Sequence, residues 1–94
     1  MKLIAMAVVA SIALVTANAA SAQEALAKSS GCLNCHAVDT KKIGPGFKEI
    51  ATKYKGKGDA EATLVAKLST AKGHPAVKAS GDDVKSLVKW VLSL

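Results

Sequence analysis

Apolar residues in the C-terminal half of this 94-residue chain recur at helical spacing. Val84, Leu87, Val88, Val91 and Leu92 describe one face of a helix. Ser80 stands before them with Asp83 three residues on, a capping box with Asp in the usual place of Glu. Upstream, Leu64, Val65, Leu68 and Ala71 form a second stripe, with Asp59 as its expected N-cap. Gly73-His74-Pro75 interrupts that stripe, because the residue before a proline is steered away from helical backbone. Phe47, Ile50, Ala51 and Tyr54 form a third face, ended by Gly56 and Gly58. Gln23 to about Ser30 is a short helix leading into Gly31-Cys32. No run alternates with the period of a strand. The pattern predicts an all-α domain of four to five short helices. The loops Lys41–Gly46 and Gly73–Ala79 are long for such helices, so something must lie between them.

The first residues follow another rule. Met1-Lys2 is a positive start, Leu3 to Val15 is almost purely apolar, and Ala20-Ser21-Ala22 is a small-x-small site. Together they read as a secretory signal peptide, residues 1–22, with a domain at 23–94. An earlier cut after Ala19 is the alternative. The apolar run is short of the roughly 20 residues of a membrane span. Cleavage leaves 72 residues with only three aromatics, Phe47, Tyr54 and Trp90. A chain that small needs a staple: a disulfide, a metal or a cofactor.

Charge narrows the choice of partner. All thirteen basic residues are lysine. Without Lys2, twelve stand against seven acids, a net of +5. Export and the absence of arginine, the usual bidentate reader of bases and phosphates, argue against nucleic acid. An acidic protein partner is the better match.

The chemistry lies in Cys32-Leu33-Asn34-Cys35-His36. This is C-x-x-C-H, the haem c attachment signature. Two thiols add to the vinyl groups of haem as thioethers, and the histidine reaches the iron. Covalent haem would also complete a thin core. A thioredoxin-like reading needs a βαβ context that the pattern lacks. A zinc site from Cys32, Cys35, His36 and His74 has suitable ligand types, but adjacent side chains diverge by about 100° on a helix. A Cys32–Cys35 disulfide would close too small a loop to stabilise much.

Beyond this motif, the chain resembles the small class I bacterial cytochromes c. The resemblance is carried by Gly31-Cys32-Leu33-Asn34-Cys35-His36-Ala37-Val38-Asp39, Ile43-Gly44-Pro45-Gly46-Phe47, Lys53-Tyr54-Lys55-Gly56 and Leu87-Val88-Lys89-Trp90-Val91-Leu92. It implies helices wrapped round one haem c per chain, with the first and last crossing near its edge. It also implies that His36 is the proximal iron ligand and that the Pro45 carbonyl accepts a hydrogen bond from its second nitrogen.

The chain departs from the family at the sixth ligand, usually methionine. Its two methionines, Met1 and Met6, lie in the signal peptide. Where the family carries Met-Pro, this chain carries His74-Pro75 on a shorter loop. His74 is therefore the expected distal ligand; a surface histidine, or ligation by Lys72 or Lys78, are the alternatives. Imidazole in place of thioether favours ferric iron and a lower potential. Trp90 is expected to pack the last helix against the haem edge or the first helix, with a propionate contact as the alternative. Phe47, Tyr54 and Leu68 are expected in the haem pocket or core.

The expected function is that of a soluble, monomeric periplasmic electron carrier, not an enzyme. Its partners would be redox proteins with acidic docking surfaces, and it would have no membrane span after cleavage. A gas-binding haem protein with an open or displaceable sixth position is the alternative.

Overall fold

The computed structural model describes residues 20–94. The predicted leader falls, up to residue 19, outside the described residues. Four α-helices follow one another: α1 over 20–29, α2 Phe47–Lys53, α3 Ala60–Thr70 and α4 Gly81–Leu92. A single 3₁₀ turn, Cys32–Asn34, follows α1. No strand occurs among the described residues, so the all-α expectation is met.

Helix α4 has the clearest local signals. The Ser80 hydroxyl accepts from the Asp83 N–H at 3.2 Å, which caps one of the free donors of the first turn. Asp82 and Asp83 at its start and Lys89 in its last turn oppose the helix dipole favourably. Val84, Leu87 and Val88 are buried. Helix α2 is preceded by its N-cap Gly46, whose N–H donates to the Glu49 carboxylate at 3.4 Å. Its first residue, Phe47, is buried and meets Trp90 of α4 edge-on, with centroids 5.7 Å apart and planes at 75°. Ala27 of α1 completes this cluster with Phe47 and Leu87. Gln23 of α1 donates to the Ser86 hydroxyl of α4 at 2.9 Å. The first and last helices thus meet at one end of the molecule.

Two details of α3 differ from the sequence reading. Asp59 is the N-cap residue, but its side chain makes no capping bond. Ala71 does not extend the apolar stripe: the helix ends at Thr70, and Ala71 turns left-handed at φ 54° and is exposed.

The buried apolar core is small: Ala27, Phe47, Ala60, Val84, Leu87 and Val88. Leu64 and Leu68 of α3 and Ile50 of α2 remain half-buried and line a central cavity, Ile50 also packing against the core cluster.

Candidate haem site

The cavity has a volume of about 670 Å³, within the roughly 300–1,000 Å³ range of cofactor sites. It lies between the two loops expected to flank a cofactor: Ile43–Pro45 on one side and Gly73–Val77 on the other. Helices α2, α3 and α4 contribute Ile50, Leu68 and Val88 to its wall. Its wall is largely apolar with a few polar groups, as the walls of cofactor sites are.

Cys32, Cys35, His36 and His74 all line this cavity. The 3₁₀ turn supplies the first of them: the N–H groups of Cys35 and His36 both donate to the Cys32 carbonyl, at 3.3 and 3.0 Å. That tight turn puts both sulfurs and the imidazole on the cavity wall. The two cysteines are free thiols, and burial pushes the Cys32 thiol up from its ordinary range.

The His36 ring is held from three directions. Its Nδ1–H donates to the Pro45 carbonyl at 2.6 Å. A carbonyl only accepts, so Nδ1 carries the proton and Nε2 keeps its lone pair. Phe47 stacks on the ring at a centroid distance of 5.3 Å. Gly44 lies against it so closely that a Cβ there would stand 2.6 Å from Cε1. The Gly44 N–H donates to the Cys35 carbonyl at 2.6 Å, which ties this loop to the motif itself.

His74 stands across from His36, with ring centroids 6.1 Å apart and planes within 6° of parallel. Its Nδ1–H donates to the Pro75 carbonyl at 2.7 Å, so its Nε2 is also free to act as a ligand.

Among the described residues no group of three or more His, Cys, Asp or Glu side chains could hold a metal ion, which leaves the zinc reading without support. Phe47, Tyr54 and Leu68 line the cavity as expected. Trp90 packs against the Phe47 cluster and is not part of the wall. The lysines on the wall are Lys53 and Lys67, rather than Lys72 or Lys78. Lys67 had a signal in the sequence: it lies between Leu64 and Leu68 on the inner face of α3.

This wall fits haem c: two thiols for covalent attachment, two imidazoles with free Nε2 atoms, and an apolar lining of matching size. No family model matches the chain. It is, however, 39% identical over 93 residues to cytochrome c-552 of Nitrosomonas europaea, covering 90% of each chain. It is 39% identical over 77 residues to cytochrome c-551 of Pseudomonas aeruginosa, covering 74% of each. Among solved structures it is similar to class 1 cytochrome MtoD from Sideroxydans lithotrophicus, at 38% identity and a TM-score of 0.70. That match covers 78% of this chain and 92% of the other. From an attachment pentapeptide on the wall of a cavity that asks for a cofactor, and from relatives that match over most of their length, the chain belongs to the class I monohaem cytochromes c, small electron-transfer proteins carrying one covalent haem c.

Proposed function

We propose that this cytochrome is a periplasmic single-electron carrier whose iron is held by His36 and His74. Haem c supplies a one-electron ferric/ferrous couple when bound. In this reading Cys32 and Cys35 anchor it as thioethers, and the His36 Nε2 is the proximal donor, with the Pro45 carbonyl orienting its ring. Ile50, Leu64, Leu68 and Val91 exclude water from its faces.

One observation carries the distal assignment. Two imidazoles that would hold one metal ion between their Nε2 atoms, at the roughly 2.0 Å of a metal–imidazole bond, would have centroids about 6 Å apart. His36 and His74 stand at 6.1 Å, with nearly parallel planes. Both rings also line the same cavity, each with its Nδ1 held by a backbone carbonyl. With no methionine after residue 6, imidazole faces no competition from a thioether. Imidazole favours ferric iron, so the potential is expected below that of methionine-ligated relatives.

The lysines suggest where partners dock. Lys53, Lys55 and Lys57 crowd the α2–α3 connection beside the cavity, with the Lys53 and Lys57 ammonium groups 5.8 and 5.4 Å from the Tyr54 ring centroid. An acidic redox partner seated there would approach the edge of the site. Among the described residues no helix is long and apolar enough to cross a membrane. The predicted leader supports a carrier exported across the cytoplasmic membrane.

The test is spectroscopic. The ferric holoprotein should be low-spin and lack the near-infrared methionine-to-iron band, and the reduced, ferrous protein should bind carbon monoxide slowly or not at all. His74→Ala should open the iron to exogenous ligands and render it high-spin. A five-coordinate wild-type iron that takes up carbon monoxide at once would return His74 to the surface and favour gas binding.

A further inference from the structure

The two loops that carry the histidine partners are built differently. The Ile43 loop is pinned to the body through backbone bonds: Gly44 N–H to Cys35 O at 2.6 Å, Phe47 N–H to Ala37 O at 2.9 Å and Lys48 N–H to Val38 O at 3.0 Å. Beyond the turn over residues 71–73, the segment to residue 79 makes no backbone–backbone hydrogen bond among the described residues. Its peptide groups do not fix the His74 ring. What touches its Nδ1 is the carbonyl of the next residue, Pro75, at 2.7 Å.

We propose that the Pro75 carbonyl is a positioning group for His74, and that Gly73-His74-Pro75 is a self-contained distal-ligand unit. The proposal rests on His74 being an axial ligand. Gly73 turns the chain left-handed at φ 73°, a conformation that strains any residue with a Cβ. Pro75 fixes its own φ and so limits where its carbonyl can point. The carbonyl then selects the Nδ1–H tautomer and sets the ring plane. It also draws the N–H proton outward, which makes Nε2 a stronger donor. His36 receives the same contact from Pro45 at 2.6 Å. Two like acceptors on opposite walls account for ring planes that agree within 6°. The consequence is a pair of matched, strong donors, which favours ferric iron.

Two changes in the holoprotein isolate the carbonyl. His74→Nδ1-methylhistidine keeps Nε2 and deletes the donor. Ala76→lactic acid turns the Pro75–Ala76 amide into an ester, a poorer acceptor of nearly the same shape. The ester removes no backbone bond, since the Ala76 N–H has no backbone partner among the described residues. Midpoint potential and the ferric electron paramagnetic resonance spectrum are the readouts, because a merely structural role would move thermal stability and leave both unchanged. Wild type should give the rhombic low-spin signal of parallel imidazoles. Both variants should stay low-spin with a raised potential, and the methylated ring should turn, shifting the signal toward the more anisotropic form of crossed imidazoles. Low-spin variants with wild-type potential and spectrum would overturn the role of Pro75 while leaving His74 as ligand. A wild-type spectrum without two nitrogen axial ligands would overturn both.

Discussion

Gly44 shows how little freedom one residue has beside an iron ligand. A Cβ at this position would lie 2.6 Å from Cε1 and 2.9 Å from Nδ1 of His36. The ring cannot retreat, because Phe47 stacks at 5.3 Å and the Pro45 carbonyl holds Nδ1 at 2.6 Å. The loop cannot lift without breaking the Gly44–Cys35 bond. Gly44→Ala should therefore cost about 1–3 kcal/mol, the usual penalty of overpacking. It should also lengthen the His36–Pro45 contact. Chemical denaturation of the holoprotein measures the first effect. A rise in midpoint potential reports the second, as the proximal donor weakens. Wild-type stability would mean that the ring and loop have slack absent from this geometry.

At the scale of elements, the end of α3 is the least well matched to its sequence. Ala71 sits at φ 54° and ψ 28°, where a Cβ costs roughly 1–2 kcal/mol. It is exposed, so no packing is lost by removing its methyl group. Glycine would relieve the strain but adds unfolded-state entropy of roughly 0.5–1 kcal/mol. The balance predicts that Ala71→Gly stabilises by about 0.5–1 kcal/mol, visible as a raised denaturation midpoint at unchanged slope. The same helix marks the limit of what periodicity reveals. The spacing of Val84, Leu87 and Val88 located α4 and its buried face, because that face packs against polypeptide. Ala71 matched the α3 stripe by spacing alone; no spacing rule foresees where a helix gives way to a left-handed cap. Asp59 marked the right boundary but not the bond, since its backbone turns at φ −97° and ψ 4°, away from the extended shape a side-chain cap needs. The Cys32–His36 segment was legible for a different reason: its spacing encodes a covalent chemistry. The neighbouring rings of His36 and His74 required the fold, because they lie 38 positions apart in sequence and only the loops bring them to 6.1 Å.

On the scale of the whole molecule, charge and cavity act together. The domain after the predicted cleavage carries twelve lysines and seven acids. Among the described residues two lysines lie in ion pairs, Lys48 with Asp39 at 2.7 Å and Lys89 with Glu61 at 4.0 Å. Both pairs are largely solvated and contribute little to stability. Lys53, Lys55 and Lys57 have no acid within ion-pair distance among the described residues, and Lys53 reaches the cavity wall. Like charges placed so close repel one another, so the segment lowers its energy when an acidic surface covers it. Long-range attraction of this kind acts on encounter more than on the final complex, and salt weakens it. The screening length falls from about 10 Å at 0.1 M to about 3 Å at 1 M. Electron transfer with an acidic redox protein should therefore slow as salt rises. Replacing Lys53, Lys55 and Lys57 by glutamine should reduce both the low-salt rate and its dependence on salt, with the midpoint potential little changed. Stopped-flow rates over a salt series check this, with a lysine outside this segment, Lys28 of α1, as the control. If Lys28→Gln lowers the rate as much as the triple change, net charge rather than this segment guides the encounter. A rate indifferent to salt in wild type would make the lysines solubilising charge alone.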